Sequence, residues 1–198
     1  MRVGLYGGCF NPVHHGHLAA ARGAMQALGL NRVLFIPSGN PPLKGDSGLA
    51  SGLHRLAMLN AALAEEPDMA ASAIELDREG PSFTVDTVIE LRATLPAGTE
   101  LFFLLGDDCA ARLPRWKGID RLHAMLRFAI LPRTADRPVT DDDRLIWLEF
   151  PRVDMSSTQI RAMLAAGEQP TESLVPGRVA EYIVQQGLYA SPVEPSYA

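Results

Sequence analysis

Six short runs of apolar, β-branched or aromatic residues punctuate the chain: 2–6, 33–36, 72–76, 101–105, 128–131 and 145–150. Between and after them lie longer stretches with apolar residues at helical spacing, at 17–28, 52–64, 85–95, 119–125, 158–166 and 178–186. The runs have the length of buried strands and the stretches that of amphipathic helices. Repeated β-then-α order predicts an α/β fold: a doubly wound parallel sheet covered on both faces, ending in a small C-terminal helical part. In such sheets ligands sit beyond the carboxyl ends of the strands, where the strand order reverses.

Composition narrows the class. The chain has 198 residues, 47% hydrophobic and 21% charged, which suits one soluble domain, assigned here to residues 1–190. Residues 191–198 carry two prolines and no periodicity, and are expected to form a loose tail. A formal net charge of −5 argues against broad nucleic-acid binding, which calls for a basic face. No apolar stretch has the length of a membrane span, and Met1 leads into a strand without a signal-peptide pattern, so the expected compartment is the cytoplasm. Cys9 and Cys109 have no zinc-type spacing, and no metal-ligating cluster is expected.

Two segments carry the chemistry. Gly7-Gly8 close the first run, and His14 and His17 stand where the next segment turns helical. Glycines that admit positive φ, a helix N-terminus and two imidazoles three residues apart make a seat for nucleotide phosphate. Far along the chain, Met155-Ser156-Ser157-Thr158-Gln159-Ile160-Arg161 opens another helix with capping residues and an arginine one turn in, a second seat for an anion. Lys44 follows a Pro41-Pro42 turn within the Gly-, Ser- and Pro-rich stretch 38–50, which reads as a mobile loop. Taken singly, each feature also fits a plain role: a βα turn, a surface histidine, a helix cap. Trp147 lies inside an apolar run and is expected in the core.

Residues 7–17 match the pattern G-G-x-F-[DN]-P-x-H-x-G-H, Phe10 and Asn11 included, and resemble the nucleotidyltransferase superfamily signature. H-x-G-H is also similar to a signature of class I aminoacyl-tRNA synthetases, but 198 residues leave no room for the domains those enzymes need. Residues 155–161 resemble the superfamily's I-S-S-T-x-I-R signature, with Met155 for isoleucine. Within the superfamily the chain is most similar to bacterial nicotinate-mononucleotide adenylyltransferases over essentially its full length. This narrower likeness is carried by Pro41-Pro42-Leu43-Lys44, Ser82-Phe83-Thr84-Val85-Asp86-Thr87, Gly106-Asp107-Asp108, Leu113-Pro114-Arg115-Trp116 and the closing segment 175–189. Leu43 stands where the family has histidine, and Phe83 where it has tyrosine.

The resemblance implies a Rossmann-like sheet and transfer of the adenylyl group of ATP to nicotinate mononucleotide, releasing pyrophosphate. It implies His14, His17, Lys44 and Arg161 as catalytic residues, with Gly7, Gly8, Phe10 and Asn11 in the phosphate-binding turn. Ser156, Ser157 and Thr158 would hold the β- and γ-phosphates of ATP, and Arg133 would lie against adenine. Thr84 and Val85 would meet the nicotinate carboxylate, Trp116 would stack on the pyridine ring, and Asp107 would contact ribose or help place the substrate. Mg²⁺ would be bound mainly through substrate phosphates. Two rivals remain at this point: a different phosphorylated acceptor, such as phosphopantetheine, and a nucleotide-sensing module without turnover.

Overall fold

The computed structural model describes residues 1–39, 49–132, 142–151 and 155–190. Strands β1 (Arg2–Gly8), β2 (Arg32–Pro37), β3 (Met69–Ala71), β4 (Glu100–Gly106), β5 (Arg127–Leu131) and β6 (Ile146–Trp147) form one sheet. Every pairing is parallel, and the spatial order is β3-β2-β1-β4-β5-β6. The helices are α1 (His15–Leu28), α2 (Gly52–Leu63), α3 (Thr84–Thr94), the one-turn α4 (Asp107–Ala110), α5 (Ile119–Met125), α6 (Ser157–Ala165) and α7 (Gly177–Gln185).

Strand side chains alternate between two cores, as the two-residue period of a pleated strand requires. Tyr6, Phe102, Leu104, Ala129 and Leu131 face one side, where α1, α2, α6 and α7 pack with Leu18, Met58, Ile160 and Val179 among their buried residues. Leu5, Phe103, Leu105, Phe128 and Ile130 face the other, covered by Val88 and Leu91 of α3 and Leu122 of α5. Both faces are therefore covered, as the run-and-stretch pattern predicts. The C-terminal helices belong to the first core and are not a separate layer.

Two expectations need correction here, and two short elements were unforeseen. The third strand is Met69–Ala71, not 72–76: Ser72 N–H still donates to Phe35 O, but the next residues turn, with Leu76 and Asp77 N–H both reaching back to Ala73 O. The short helix α4 and a 3-10 turn at Leu113–Arg115 were unforeseen, because both are shorter than the window in which helical periodicity can be seen. Trp147 is only half-buried, since β6 is two residues long and lies at the sheet edge.

On the α5 side, His123 has a side chain only 11% exposed, packed edge-on against the Phe128 ring at 5.1 Å, with Nε2 3.9 Å from Asp142 Oδ2. Burial, then the Arg144 guanidinium, hold its pKa below the ordinary value, against the opposing pull of Asp142 and Asp120. A histidine whose folded pKa is depressed is protonated first in the unfolded chain, so its contribution to stability is complete above about pH 6.5 and is lost as pH falls below that. The unfolding midpoint is expected to drop between pH 7 and 5.5, with a shallower drop in His123→Gln; identical slopes in the two proteins would remove His123 as the source.

Candidate active site

The strand order reverses between β1 and β4, so the crevice of this sheet opens where those two strands end. Gly7 and Gly8 finish β1, and Gly106 finishes β4 with the buried Asp107 directly after it. The two glycines do not take positive φ, as the sequence reading expects; they are extended strand residues. What excludes a side chain there is space. A Cβ on Gly7 would come within 2.8 Å of the Phe103 ring, and one on Gly8 within 3.0 Å of the Phe10 ring. The left-handed residue of the turn is Phe10 itself, at φ +48°. Its ring is buried against Tyr6, Phe35 and His17 at centroid distances of 5.0–5.4 Å, which offsets a backbone cost of about 1–2 kcal/mol.

His14 is the N-cap of α1 and His17 its third residue. Both are buried, and their rings lie 3.7 Å apart at 33°. Gly16 makes this possible: a Cβ there would press to 3.0 Å from the His14 ring. The His14 N–H donates to His17 Nδ1 at 3.2 Å. A neutral ring that accepts at Nδ1 carries its proton on Nε2, so the cap also fixes which nitrogen can donate. His15 points away and its Nε2 lies 2.9 Å from Glu172 O.

The second segment docks directly on the first. Ser157 Oγ donates to Pro12 O at 2.9 Å, and Arg161 Nη1 donates to Asn11 O at 2.7 Å, joining residues some 145–150 positions apart. Arg161 Nη2 also reaches Thr158 Oγ1 at 3.3 Å. Ser156 caps α6: its Oγ accepts from the Gln159 N–H at 3.2 Å while Gln159 Oε1 accepts from the Ser156 N–H at 3.0 Å. This capping box fixes where α6 begins and aims its positive end. The starts of α1 and α6 thus meet over one turn of chain. A guanidinium has five N–H donors, so two protein bonds leave Arg161 with donors for an anion.

Beyond Phe103 lies a second group. Trp116 is half-buried and meets the Phe103 and Phe128 rings edge-to-face at 5.6 and 6.1 Å. The start of α3 stands beside it: Lys117 Nζ is 3.3 Å from Asp86 Oδ2 and 4.2 Å above the Phe83 ring. Thr84 and Val85 are the first two helical residues, whose N–H groups have no partner inside a helix. Phe103 therefore connects the Gly7 turn on one side with Trp116 on the other. Lys44, with Pro41, Pro42 and Leu43, and Arg133 lie outside the described residues.

Two side chains to which the sequence reading gave no site role hold this turn. Arg55, 2% exposed, donates from Nη1 to Cys9 O and from Nε to Ala50 O, each at 3.1 Å. Its position in the buried stripe Arg55, Met58, Leu59, Ala62 of α2 was the available signal, since a charged residue in an apolar stripe needs dedicated partners. The other is Tyr189, whose hydroxyl donates to Asn11 Oδ1 at 2.7 Å.

Residues 5–163 match the family described as cytidylyltransferase-like. A protein of Herpetosiphon aurantiacus named a probable nicotinate-nucleotide adenylyltransferase is 41% identical over 197 residues, covering 95% of this chain and 98% of its own. One of Dehalococcoides mccartyi with the same name is 38% identical over 199 residues, covering 96% and 97%. The chain belongs to the nicotinate-nucleotide adenylyltransferase family. Its fold is also that of the Plasmodium falciparum nicotinic acid mononucleotide adenylyltransferase solved with NaAD, at a TM-score of 0.75 and 16% identity over 95% of this chain and 97% of that one. The turn at 7–17 and the start of α6, the two segments that resemble superfamily signatures, meet beyond the end of β1, beside the switch point of the sheet.

Proposed function

We propose that the chain transfers the adenylyl group of ATP to nicotinate mononucleotide, giving nicotinate adenine dinucleotide and pyrophosphate, in the cytoplasm as part of NAD biosynthesis. The observation that carries this reading is the bonding of Arg161 and Ser157 to Asn11 O and Pro12 O, beside the stacked His14 and His17. It assembles two helix starts, a guanidinium and two imidazoles around one volume, which suits a triphosphate.

The reaction is displacement at phosphorus. An oxygen of the acceptor's 5′-phosphate bonds to the α-phosphorus of ATP, and the bond to the bridging oxygen of pyrophosphate breaks, that oxygen leaving with the electron pair. Such chemistry depends on positioning and on donors aimed at developing charge. His17 donates from Nε2 to the phosphoryl group, with His14 beside it. Arg161 and the start of α6, with Ser156, Ser157 and Thr158, take the β- and γ-phosphates, so charge collecting on the leaving group meets N–H donors. Gly7, Gly8, Phe10 and Asn11 shape the floor of this volume; Lys44 and Arg133 are proposed phosphate and adenine contacts.

Mg²⁺ supplies charge neutralisation when it accompanies ATP. Among the described residues no group of three or more His, Cys, Asp or Glu assembles around a common point. Mg²⁺ is usually held by phosphate oxygens and water. No helix of the described residues is long and apolar enough to cross a membrane.

For the acceptor, we assign the nicotinate carboxylate to the Thr84 and Val85 N–H groups, the pyridine ring to the exposed part of Trp116, and Asp107 to the ribose. A carboxylate satisfies N–H donors, whereas the amide of nicotinamide mononucleotide turns its own NH₂ toward them. Pyrophosphate release measured with both acceptors is expected to give a kcat/KM about 10- to 100-fold higher for nicotinate mononucleotide. An equal or reversed ratio would remove the carboxylate assignment, and no release with either acceptor would remove the reaction.

A further inference from the structure

The turn that separates the two histidines from β1 is gripped by residues outside both signatures. Asn11 is 3% exposed. Its side-chain oxygen accepts from the Tyr189 hydroxyl at 2.7 Å and from the Ala50 N–H at 3.0 Å, while its main-chain oxygen accepts from Arg161. Two residues further back, the Cys9 carbonyl accepts from the buried Arg55. Tyr189 follows α7 and adopts φ +66°, a left-handed backbone that a bulky residue rarely takes. Burial pushes its phenol well above the ordinary value, so the hydroxyl stays protonated and donates.

We propose that Tyr189 is a positioning residue for the adenylyl transfer: by holding the Asn11 side chain, it fixes the carbonyl on which Arg161 is anchored, and so places the guanidinium relative to His14 and His17. The hydroxyl does not touch the reacting phosphates; it acts through Asn11 on the group that does. The C-terminal segment beyond α7 thereby becomes part of the phosphate-binding machinery, although it lies 178 residues from the turn it braces.

A matched control exists in the same region. The Tyr182 hydroxyl, on α7, lies 3.0 Å from His54 Nδ1 and ties the same C-terminal region to α2 without touching the turn. In the full-length protein, Tyr189→Phe is expected to lower kcat about tenfold, the scale of one lost hydrogen bond. KM for nicotinate mononucleotide should stay within twofold, and Tyr182→Phe should stay within twofold in both constants. ATP binding measured by calorimetry should weaken by about five- to tenfold in Tyr189→Phe and hold steady in Tyr182→Phe. Near-parental kcat and ATP affinity in Tyr189→Phe would overturn the proposal, as would an equal loss in Tyr182→Phe, which would mark a general loosening of the C-terminal helix. The inference rests on ATP as the triphosphate substrate: turnover by the parent protein tests that, whereas the variant-to-parent ratio tests the brace. The calorimetric ratio remains readable if the acceptor is a different phosphate.

Discussion

Replacing His17 by alanine is expected to lower kcat by about two orders of magnitude or more, the usual consequence of losing one donor aimed at transition-state charge. The geometry permits a sharper test than alanine alone. The His17 ring accepts the His14 N–H at Nδ1, and the proposed reaction uses its Nε2 as a donor. The amide of asparagine reaches roughly as far as Nδ1, and that of glutamine roughly as far as Nε2. His17→Asn should therefore keep the cap of α1 and lose activity almost as fully as alanine, whereas His17→Gln should disturb the cap and retain measurable turnover. Far-UV circular dichroism should be unchanged in all three, because loss of a cap costs only about 1 kcal/mol and α1 is held by Leu18, Ala21, Ala24 and Leu28 in the core. Turnover of His17→Ala near the parental rate would remove the residue from the chemistry. Asparagine more active than glutamine would show that the cap, not the Nε2 donor, is what matters.

How far the sequence reached can be judged residue by residue. The sheet was legible because β1, β4 and β5 are buried on both faces and read as continuous apolar runs, and because β1 and β4 are each followed by a stretch of helical period before the next strand. The third strand was misplaced because β3 has three residues, two of them alanine, while the following Ile74 and Leu76 give an apolar signal from a turn. The two signatures meet beside the switch point, as the strand-then-motif order suggests. The conformation of Gly7 and Gly8 was not legible, since the reason for glycine there is the Phe103 ring, almost one hundred residues away, and the Phe10 ring in the turn itself. Arg55 went unread, and Tyr189 was read only as part of the closing segment with no role at the turn, for the same reason: a side chain that holds a carbonyl or an amide across the fold has partners that no local spacing announces. Patterns in sequence report periodicity and short motifs. The contacts that set a motif's shape are long-range.

Arg161→Ala is expected to reduce kcat/KM by about 10²- to 10³-fold, since it removes a charged donor from the phosphates and the anchor of the Asn11 carbonyl together. Arg161→Lys should recover little of this. Nη1 is committed to Asn11 O and Nη2 to Thr158 Oγ1, and a planar fork can hold both while presenting further N–H groups outward. A single ammonium must choose between anchoring the turn and meeting the anion. Activity of Arg161→Lys within fivefold of the parent would show that charge alone suffices and would dismiss the anchoring role. The combination with Tyr189→Phe carries the point further. Arg161 and Tyr189 grip the same residue, Asn11, through its main-chain and side-chain oxygens. Once Arg161→Lys has released the carbonyl, freeing the side chain removes less than it does in the parent, so the double variant should lose less than the product of the single losses. Losses that multiply cleanly would mean that the two residues act independently, and Asn11 would then be a neighbour of both and not the link between them.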